Sequence, residues 1–185
     1  MKKYEFTGET KTVQFLFENV TLHRIQAITS FENVVAGELG GWIEKEENLS
    51  QGGNAWVGGN AWVGDNARVD GNAQVGGNAQ VSGNAQVRGN AWVGGNAWVR
   101  GNAQVCGDAR VFSINHILTI GVIGSRDDFT TFYRDKDNEI TVKCGCFSGK
   151  IDKFLEKVAQ THGDSKYAQV YKKAVELAKL QILTG

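Results

Sequence analysis

The chain contains 185 residues, which is enough for one ordinary domain or two small ones. Its 20 Lys and Arg residues balance its 20 Asp and Glu residues, so no net field draws nucleic acid or an acidic membrane to the whole molecule. Residues 1–9 lack an apolar signal-peptide core, and no apolar run approaches the ~20 residues that span a bilayer. We therefore expect a cytoplasmic protein with no membrane partner.

Residues 1–52 form the first of three segments. Alternating apolar and polar residues over residues 13–17 and 22–28 predict two β-strands. The stretch GELGGWIEKEENLSQ then supplies turn residues around Trp42 and Leu49. We expect this segment to form a β cap on the segment that follows it.

Residues 53–112 repeat with a fixed period of six residues. Asn stands at nine of the ten repeat positions and Asp108 stands at the tenth. Each is followed by Ala, then a variable residue, then Val, and the stretch GNAWVGGNAWV occurs twice. Because Val never leaves its position, the period indicates a repeat architecture rather than low complexity.

A six-residue period with a small and an aliphatic residue at constant positions resembles the hexapeptide-repeat family. The resemblance implies a left-handed parallel β-helix, in which each hexad forms one short strand and one turn and three hexads close one coil. In such a coil Val points inward and stacks on the Val of the next coil, ~4.8 Å away. Ala fills the tight corner, and Gly and Asn occupy turns that often require a positive φ. Stacked Asn side chains can form a ladder of hydrogen bonds. Burial of each Val stabilises the fold by roughly 1.5–3 kcal/mol.

The two flanking stretches carry a narrower resemblance. IQAITSFENVVAGELGGWIEKEENLSQGGNAWV resembles the segment that leads into the repeat in hexapeptide-repeat proteins of bacteria and their phages, which are often labelled transferases or polymer-forming proteins. IGSRDDFTTFYRDKDNEITVKCGCFSGKIDKFLEKV resembles a module that follows the repeat in phage-encoded members. The resemblance implies a phage or prophage accessory protein, which would act in the cytoplasm of the host cell.

The variable residues of the hexads fall on three outer faces of such a coil, because residues next to an inward Val point outward. The first face carries Trp56, Gln74, Trp92 and Arg110, the second face carries Trp62, Gln80 and Trp98, and the third face carries Arg68, Gln86 and Gln104. Exposed aromatic patches usually mark contacts. We therefore predict interaction faces at Trp56, Trp62, Trp92 and Trp98. What covers them is open: the caps of the same chain, a sister subunit in a trimer or dimer, another protein, or a stacked sugar or base.

Residues 113–185 predict a small α+β module of three strands and two helices. The strands are expected at residues 117–123, 129–133 and 140–144, separated by the turn clusters SRDD and DKDN. Ser148 is placed to cap the first helix, and Gly163 is placed to end it. The whole chain is then mainly β, with a β-helix over residues 53–112 between two caps.

Acyl transfer is the usual activity that the family resemblance implies. The family's acyltransferases resemble one another in a catalytic His on a coil and in a loop that interrupts the hexads. Residues 53–112 contain neither feature, and His116, His23 and His162 all lie outside them. A lone His is more often a structural residue, so we assign no catalytic residue.

The cysteines are the only residues that suggest a metal. Cys144 and Cys146 form a Cys-x-Cys pair, which is a weaker signal than the paired Cys-x2-Cys sets of zinc sites. Free Cys often behaves as a small buried apolar residue. We expect no metal and no cofactor.

The third segment also contains a candidate site for an anion or a partner. Arg126, Tyr133, Arg134 and Lys143 lie in two neighbouring predicted strands and the turn before them. Arg binds phosphate in a bidentate manner, and Tyr can stack on a base. The alternative is a solvated charge cluster, because two Asp residues adjoin Arg126.

These patterns predict a non-catalytic binding protein built on a β-helix. We expect a homo-oligomer, a host protein as partner and a nucleotide as a further ligand. The phage-type resemblance implies an inhibitor of a host defence system, acting by nuclease binding or by sequestration of a signalling nucleotide. An acyltransferase-like hexapeptide-repeat enzyme is the alternative.

Overall fold

The computed structural model describes residues 2–15 and 18–183. Three strands precede the hexads: β1 (Tyr4–Phe15), β2 (Glu18–Ala27) and β3 (Leu39–Ile43). The hexads form ten two-residue strands: β4 (Trp56–Val57), β5 (Trp62–Val63), β6 (Arg68–Val69), β7 (Gln74–Val75), β8 (Gln80–Val81), β9 (Gln86–Val87), β10 (Trp92–Val93), β11 (Trp98–Val99), β12 (Gln104–Val105) and β13 (Arg110–Val111). The last segment forms β14 (Ile117–Ile123), β15 (Asp128–Arg134), β16 (Ile140–Cys144), β17 (Phe147–Lys150), α1 (Ile151–His162) and α2 (Lys166–Leu183).

The hexads wind into a parallel β-helix of about four turns. Each strand pairs in parallel with the strand one coil later, so that Val57 lies beside Val75 and Val63 lies beside Val81. The Val and Ala side chains of all ten hexads are at most 2% exposed. The predicted mainly β fold with a left-handed β-helix is confirmed.

Backbone hydrogen bonds join each coil to the next one. The N–H of Trp56 donates to the carbonyl of Ala73 at 2.9 Å, and the N–H of Gly58 donates to the carbonyl of Val75 at 2.8 Å. At the ends of the β-helix, the carbonyl of Ala55 accepts a hydrogen bond from the N-terminal cap, and the N–H of Gln104 donates one to the C-terminal module. Both ends need a cap, because buried backbone groups without partners are costly.

Gly and Asn occupy neighbouring positions at the corners of the coils and have different roles there. The residue before each Asn-Ala pair has a positive φ, and it is Gly in nine hexads and Asp65 in the other. A Cβ on Gly77, whose φ is 63°, would lie 3.0 Å from the backbone nitrogen of Gly95. The Asn residues themselves form the predicted ladder, for example with Asn78 Nδ2 donating to Asn96 Oδ1 at 3.2 Å.

The N-terminal cap is a long antiparallel hairpin, β1–β2, joined to the first coil. Strand β2 pairs with β3, and β3 continues in parallel onto β5, so the hairpin extends the sheet of the second face. The predicted strand 22–28 falls on β2 except for its last residue, and residues 13–15 of the predicted strand 13–17 fall on β1. Residues 16 and 17 lie outside the described residues. The buried ammonium of Lys3 donates to the carbonyl of Ala55 at 2.6 Å, and burial lowers the pKa of Lys3 to about 8.

The C-terminal module is a four-stranded antiparallel sheet with two helices, and not the three-stranded module that we predicted. Its strand order is β14–β15–β16–β17. The residues around Ser148 pair with β16 through a tight hairpin at Gly145, whose φ is 56°, and α1 begins only at Ile151. Ser148 is therefore a strand residue rather than a helix cap. Gly163 ends α1 as predicted.

Strand β15 joins the module to the last coil. Tyr133 packs into the core of the β-helix, whereas Phe132 packs into the second core beneath the helices. The N–H of Gln104 on the last coil donates to Thr131 Oγ1 at 3.1 Å. The two opposite faces of one strand thus seal the end of the β-helix and support α1 and α2, respectively.

Candidate functional site

The four hexad Trp residues divide into a covered pair and an exposed pair. Trp56 is 4% exposed, because Phe31 packs edge-on against it at 5.6 Å. Trp62 is 8% exposed and packs with Leu22 and Trp42 of the N-terminal cap. Trp92 and Trp98, one coil from the C-terminal module, are 50% and 45% exposed. Of the predicted interaction faces, only the part that carries Trp92 and Trp98 is therefore accessible.

The first face carries an open groove of about 520 Å³ that crosses several coils. Trp56 lies at its lower end and Trp92 at its upper end, with Gln74 between them. Gly58 and Gly76 also line it, so that strip presents backbone and no side chain. The groove can hold an extended ligand against the exposed ring of Trp92, whereas Trp56 is covered.

Polar groups line the sides and ends of this first-face groove. Asn54, Asn72 and Asn90 form one side, and Gln74 Nε2 donates to the carbonyl of Asn54 at 2.9 Å. Arg110 lies at the upper end, where its Nη1 donates to the carbonyl of Asn90 at 3.0 Å and its guanidinium lies 5.9 Å from the Trp92 ring. The groove thus offers amides along its length and one cation at the top.

A buried donor marks the lower end of the groove. Trp56 Nε1 is buried, and no acceptor lies within hydrogen-bonding distance of it among the described residues. An unmet buried donor costs about 1–3 kcal/mol. The loop that covers it includes Glu32, which lines the groove and has a positive φ of 46°.

Above the groove, four exposed apolar side chains form what we call the aromatic corner: Trp92, Trp98, Phe112 and Ile114. Phe112 packs edge-on against Trp92 at 5.6 Å. On the other side of Phe112 a second open cavity of about 620 Å³ is lined by Trp98 and Ile114 together with amide side chains. The guanidinium of Arg100 lies 3.9 Å from the Trp98 ring.

His116, the histidine nearest to the hexads, is held in place by two neighbours. Its Nδ1 accepts from the N–H of Phe112 at 3.2 Å, and its Nε2 lies 3.0 Å from Arg134 Nη1. Burial, and then the charge of Arg134, lower the pKa of His116. The two ring nitrogens of His116 contact Phe112 and Arg134, and His116 does not line the groove.

The four residues of the predicted anion site do not come together. Tyr133 is fully buried, and its hydroxyl donates to the carbonyl of Cys106 at 3.0 Å, so its ring has no free face for a base. Arg134 contacts His116 at the far end of β15, while Lys143 donates to the carbonyl of Gly145 at the hairpin turn. Arg126 lies near the same turn. A stacked nucleotide at Tyr133 is excluded.

The three cysteines are dispersed. Cys106 Sγ lies 3.3 Å from the Tyr133 hydroxyl, Cys144 Sγ accepts from Thr130 Oγ1 at 3.3 Å, and Cys146 is exposed. Over residues 2–15 and 18–183, no group of three or more His, Cys, Asp and Glu residues is arranged to hold a metal ion.

Sequence reasoning missed one buried charge cluster at the junction of β-helix and module. Asp135 accepts from Lys150 Nζ at 2.5 Å and from Thr141 Oγ1 at 2.7 Å. Burial alone would raise the pKa of Asp135, but these hydrogen bonds outweigh it and lower the pKa. Asp135 also forms a backbone bridge to Ala109 of the last hexad. The cluster anchors the module, and its signal in the sequence was only the polar turn DKDN.

Comparison with known proteins gives a relative that matches part of the chain. No family model matches the chain. The chain is 39% identical over 61 residues to an uncharacterized acetyltransferase, YdcK, of Escherichia coli strain K12. The matched part covers 31% of this chain and 19% of that protein, so the chain spans about a fifth of the length of the curated relative. The match and the coils together fit a protein of the hexapeptide-repeat β-helix type.

Within the described part of the chain, neither α1 nor α2 is long and apolar enough to cross a bilayer.

Proposed function

We propose that the protein is acyltransferase-like and that its first-face groove binds an acyl-thioester donor of the acetyl-CoA kind. The groove is the observation that carries the proposal, because it is extended, open and lined by amides and by the exposed indole of Trp92. The partial relative, whose name states an acetyltransferase, supports this choice over a purely structural coil.

The lining chemistry suits such a donor. A pantetheine chain alternates amide and aliphatic groups, which match the Asn and Gln side chains and the indole of Trp92 in the groove. The phosphates at the other end of the donor match a guanidinium, which Arg110 supplies at the top. We assign no general base, since His116 is engaged by Phe112 and Arg134.

Calorimetric titration with acetyl-CoA tests the proposal. We expect Trp92→Ala to weaken binding by about tenfold or more, since loss of a well-buried contact of ~1.4 kcal/mol changes affinity tenfold. Arg110→Ala should weaken it most at low salt. Trp98→Ala is the matched control, because Trp98 has nearly the same exposure but lies on the second face. Release of free thiol from acetyl-CoA in the presence of candidate acceptors then tests transfer.

Two results would reject the acyl-donor proposal. One is no heat of binding with millimolar acetyl-CoA. The other is an equal loss of affinity in Trp92→Ala and Trp98→Ala, which would place the ligand elsewhere.

Protein binding is the second candidate, and the aromatic corner favours it. Its four apolar side chains are 39–52% exposed and contiguous with both cavities. Exposed apolar patches of this kind mark interfaces, with a sister subunit of a trimer or dimer or with a host protein. A phage origin and a host-defence target rest on the sequence resemblance of the flanking stretches alone. Light scattering that shows only a 20.1 kDa species at micromolar concentration would reject the homo-oligomer.

A further inference from the structure

Helix α2 buries one face and exposes apolar side chains on a neighbouring face. Its buried residues are Ala168, Tyr171, Ala174, Val175, Ala178 and Ile182. On the exposed side, Val170, Leu177 and Leu180 are 41%, 48% and 65% exposed. Helices on protein surfaces normally place polar residues at such positions.

The exposed residues follow the spacing of a helix-pairing surface. Lys166, Val170, Lys173, Leu177 and Leu180 are separated by four, three, four and three residues. Residues at this spacing form one continuous stripe and are the positions that contact a second helix in a coiled coil. We call these five residues the α2 seam.

The charges of α2 are strongly biased. Over the helix Lys166, Lys172, Lys173 and Lys179 stand against one acid, Glu176. The ion pair between Lys173 and Glu176, at 2.7 Å, is exposed on both sides and so neutralises Lys173 only weakly. The seam therefore presents two cations in its N-terminal half and apolar side chains in its C-terminal half.

The two lysines of the seam argue against pairing with a second copy of this chain. In a parallel pair, Lys166 and Lys173 would each face the same residue of the other copy. In an antiparallel pair, each ammonium group would lie against Val or Leu of the other copy with no carboxylate opposite. Both arrangements are unfavourable, because like charges repel and a buried charge without a partner is destabilising.

We propose that the α2 seam docks an amphipathic helix of a partner protein. The partner helix carries acidic residues opposite Lys166 and Lys173 and apolar residues opposite Val170, Leu177 and Leu180. The complementary charge fixes the register, and the apolar residues supply the buried area. This surface is separate from the first-face groove and does not depend on what the groove binds.

Fluorescence anisotropy with two labelled synthetic peptides tests the docking proposal. Both peptides have three heptads with Leu at the pairing positions, except at the positions opposite Lys166 and Lys173. There one peptide carries Glu and the other carries Lys. We expect the full chain to bind the Glu peptide at least tenfold more tightly than the Lys peptide.

Variants on and off the seam sharpen this test. Lys166→Glu with Lys173→Glu should reverse the preference between the two peptides. Lys172→Glu with Lys179→Glu changes the net charge equally but lies off the seam, and should leave the preference intact. Val170→Ser with Leu177→Ser should weaken binding of the Glu peptide at least tenfold. All these residues are exposed, so circular dichroism should show an unchanged fold.

Four outcomes would overturn the proposal. The first is equal binding of the two peptides, and the second is an equal effect of the on-seam and off-seam charge variants. The third is self-association of the wild-type chain that Val170→Ser with Leu177→Ser abolishes. The fourth is binding to phosphatidylserine vesicles with no binding to either peptide. The third outcome would assign the seam to a second copy, and the fourth to an anionic membrane.

Discussion

Replacing Val81 with Asp tests the inward stack of the β-helix directly. Val81 is fully buried and lies between Val63 and Val99 of the coils on either side. The substitution removes the burial of one Val side chain, which contributes roughly 1.5–3 kcal/mol. It also places a carboxyl group in an apolar column, which costs about 1–3 kcal/mol even when the group is protonated.

Together the two contributions lower the free energy of unfolding by roughly 2.5–6 kcal/mol, a large share of the ~5–15 kcal/mol typical of whole domains. Urea unfolding followed by far-ultraviolet circular dichroism measures this loss. Gln86→Asp is the matched control, because Gln86 lies in an outward position and should change stability by less than about 1 kcal/mol.

A loss below about 1 kcal/mol in Val81→Asp would refute the inward stack. If the Asp variant does not fold, Val81→Thr keeps the measurement available. Thr has nearly the shape of Val, and its hydroxyl should lower the free energy of unfolding by about 1–3 kcal/mol.

Three further predictions concern the corners, the covered Trp and the junction. Gly77→Ala should lower the free energy of unfolding by about 1–2 kcal/mol, because the positive φ of Gly77 and the backbone of the next coil oppose a Cβ. Gly76→Ala is the control: a Cβ there meets open space, so its free energy of unfolding in the same urea series should stay near that of the wild type. Trp62→Ala should lower the melting temperature strongly through the loss of a buried side chain worth about 3–5 kcal/mol, and a comparable drop in the exposed Trp98→Ala would contradict the assigned burial. Burial and the nearby guanidinium of Arg134 lower the pKa of His116 in the folded state. The stability that neutral His116 contributes is therefore fully present above the unfolded pKa near 6.5. It is lost as the pH falls through the lower folded pKa. His116→Gln should reduce this acid-side loss of stability in pH-dependent melting, and an unchanged profile would remove His116 as its source.

The β-helix was predictable because the six-residue period resembles that of the hexapeptide-repeat family, in which the aliphatic residue of each hexad faces inward. Burial of every hexad Val follows from position in the six-residue unit and needs no long-range information. The burial of Trp56 and Trp62 was not predictable in this way. The same stretch GNAWVGGNAWV gives covered Trp at its first occurrence and exposed Trp at its second, because only the first lies within reach of the N-terminal cap.

The four residues of the predicted anion site are close in sequence but do not all lie close together in space. Alternation along β15 places Tyr133 on the face toward the β-helix and Arg134 on the other. The strand also separates Arg134 from the turn that holds Lys143 by most of its length. The groove of the first face was equally out of reach, since one of its walls comes from a loop about 20 residues earlier in the chain.

The coil length restricts how the gene for this protein can grow or shrink. A tandem duplication or loss of three hexads adds or removes one whole coil, so every remaining residue keeps its face and the two caps keep their mutual orientation. Gain or loss of one hexad instead turns the C-terminal module by a third of a revolution relative to the N-terminal hairpin. DNA that encodes nearly identical hexads is prone to slippage during replication. Only insertions and deletions in multiples of three hexads would keep the columns of Trp residues aligned with the loop that contains Glu32.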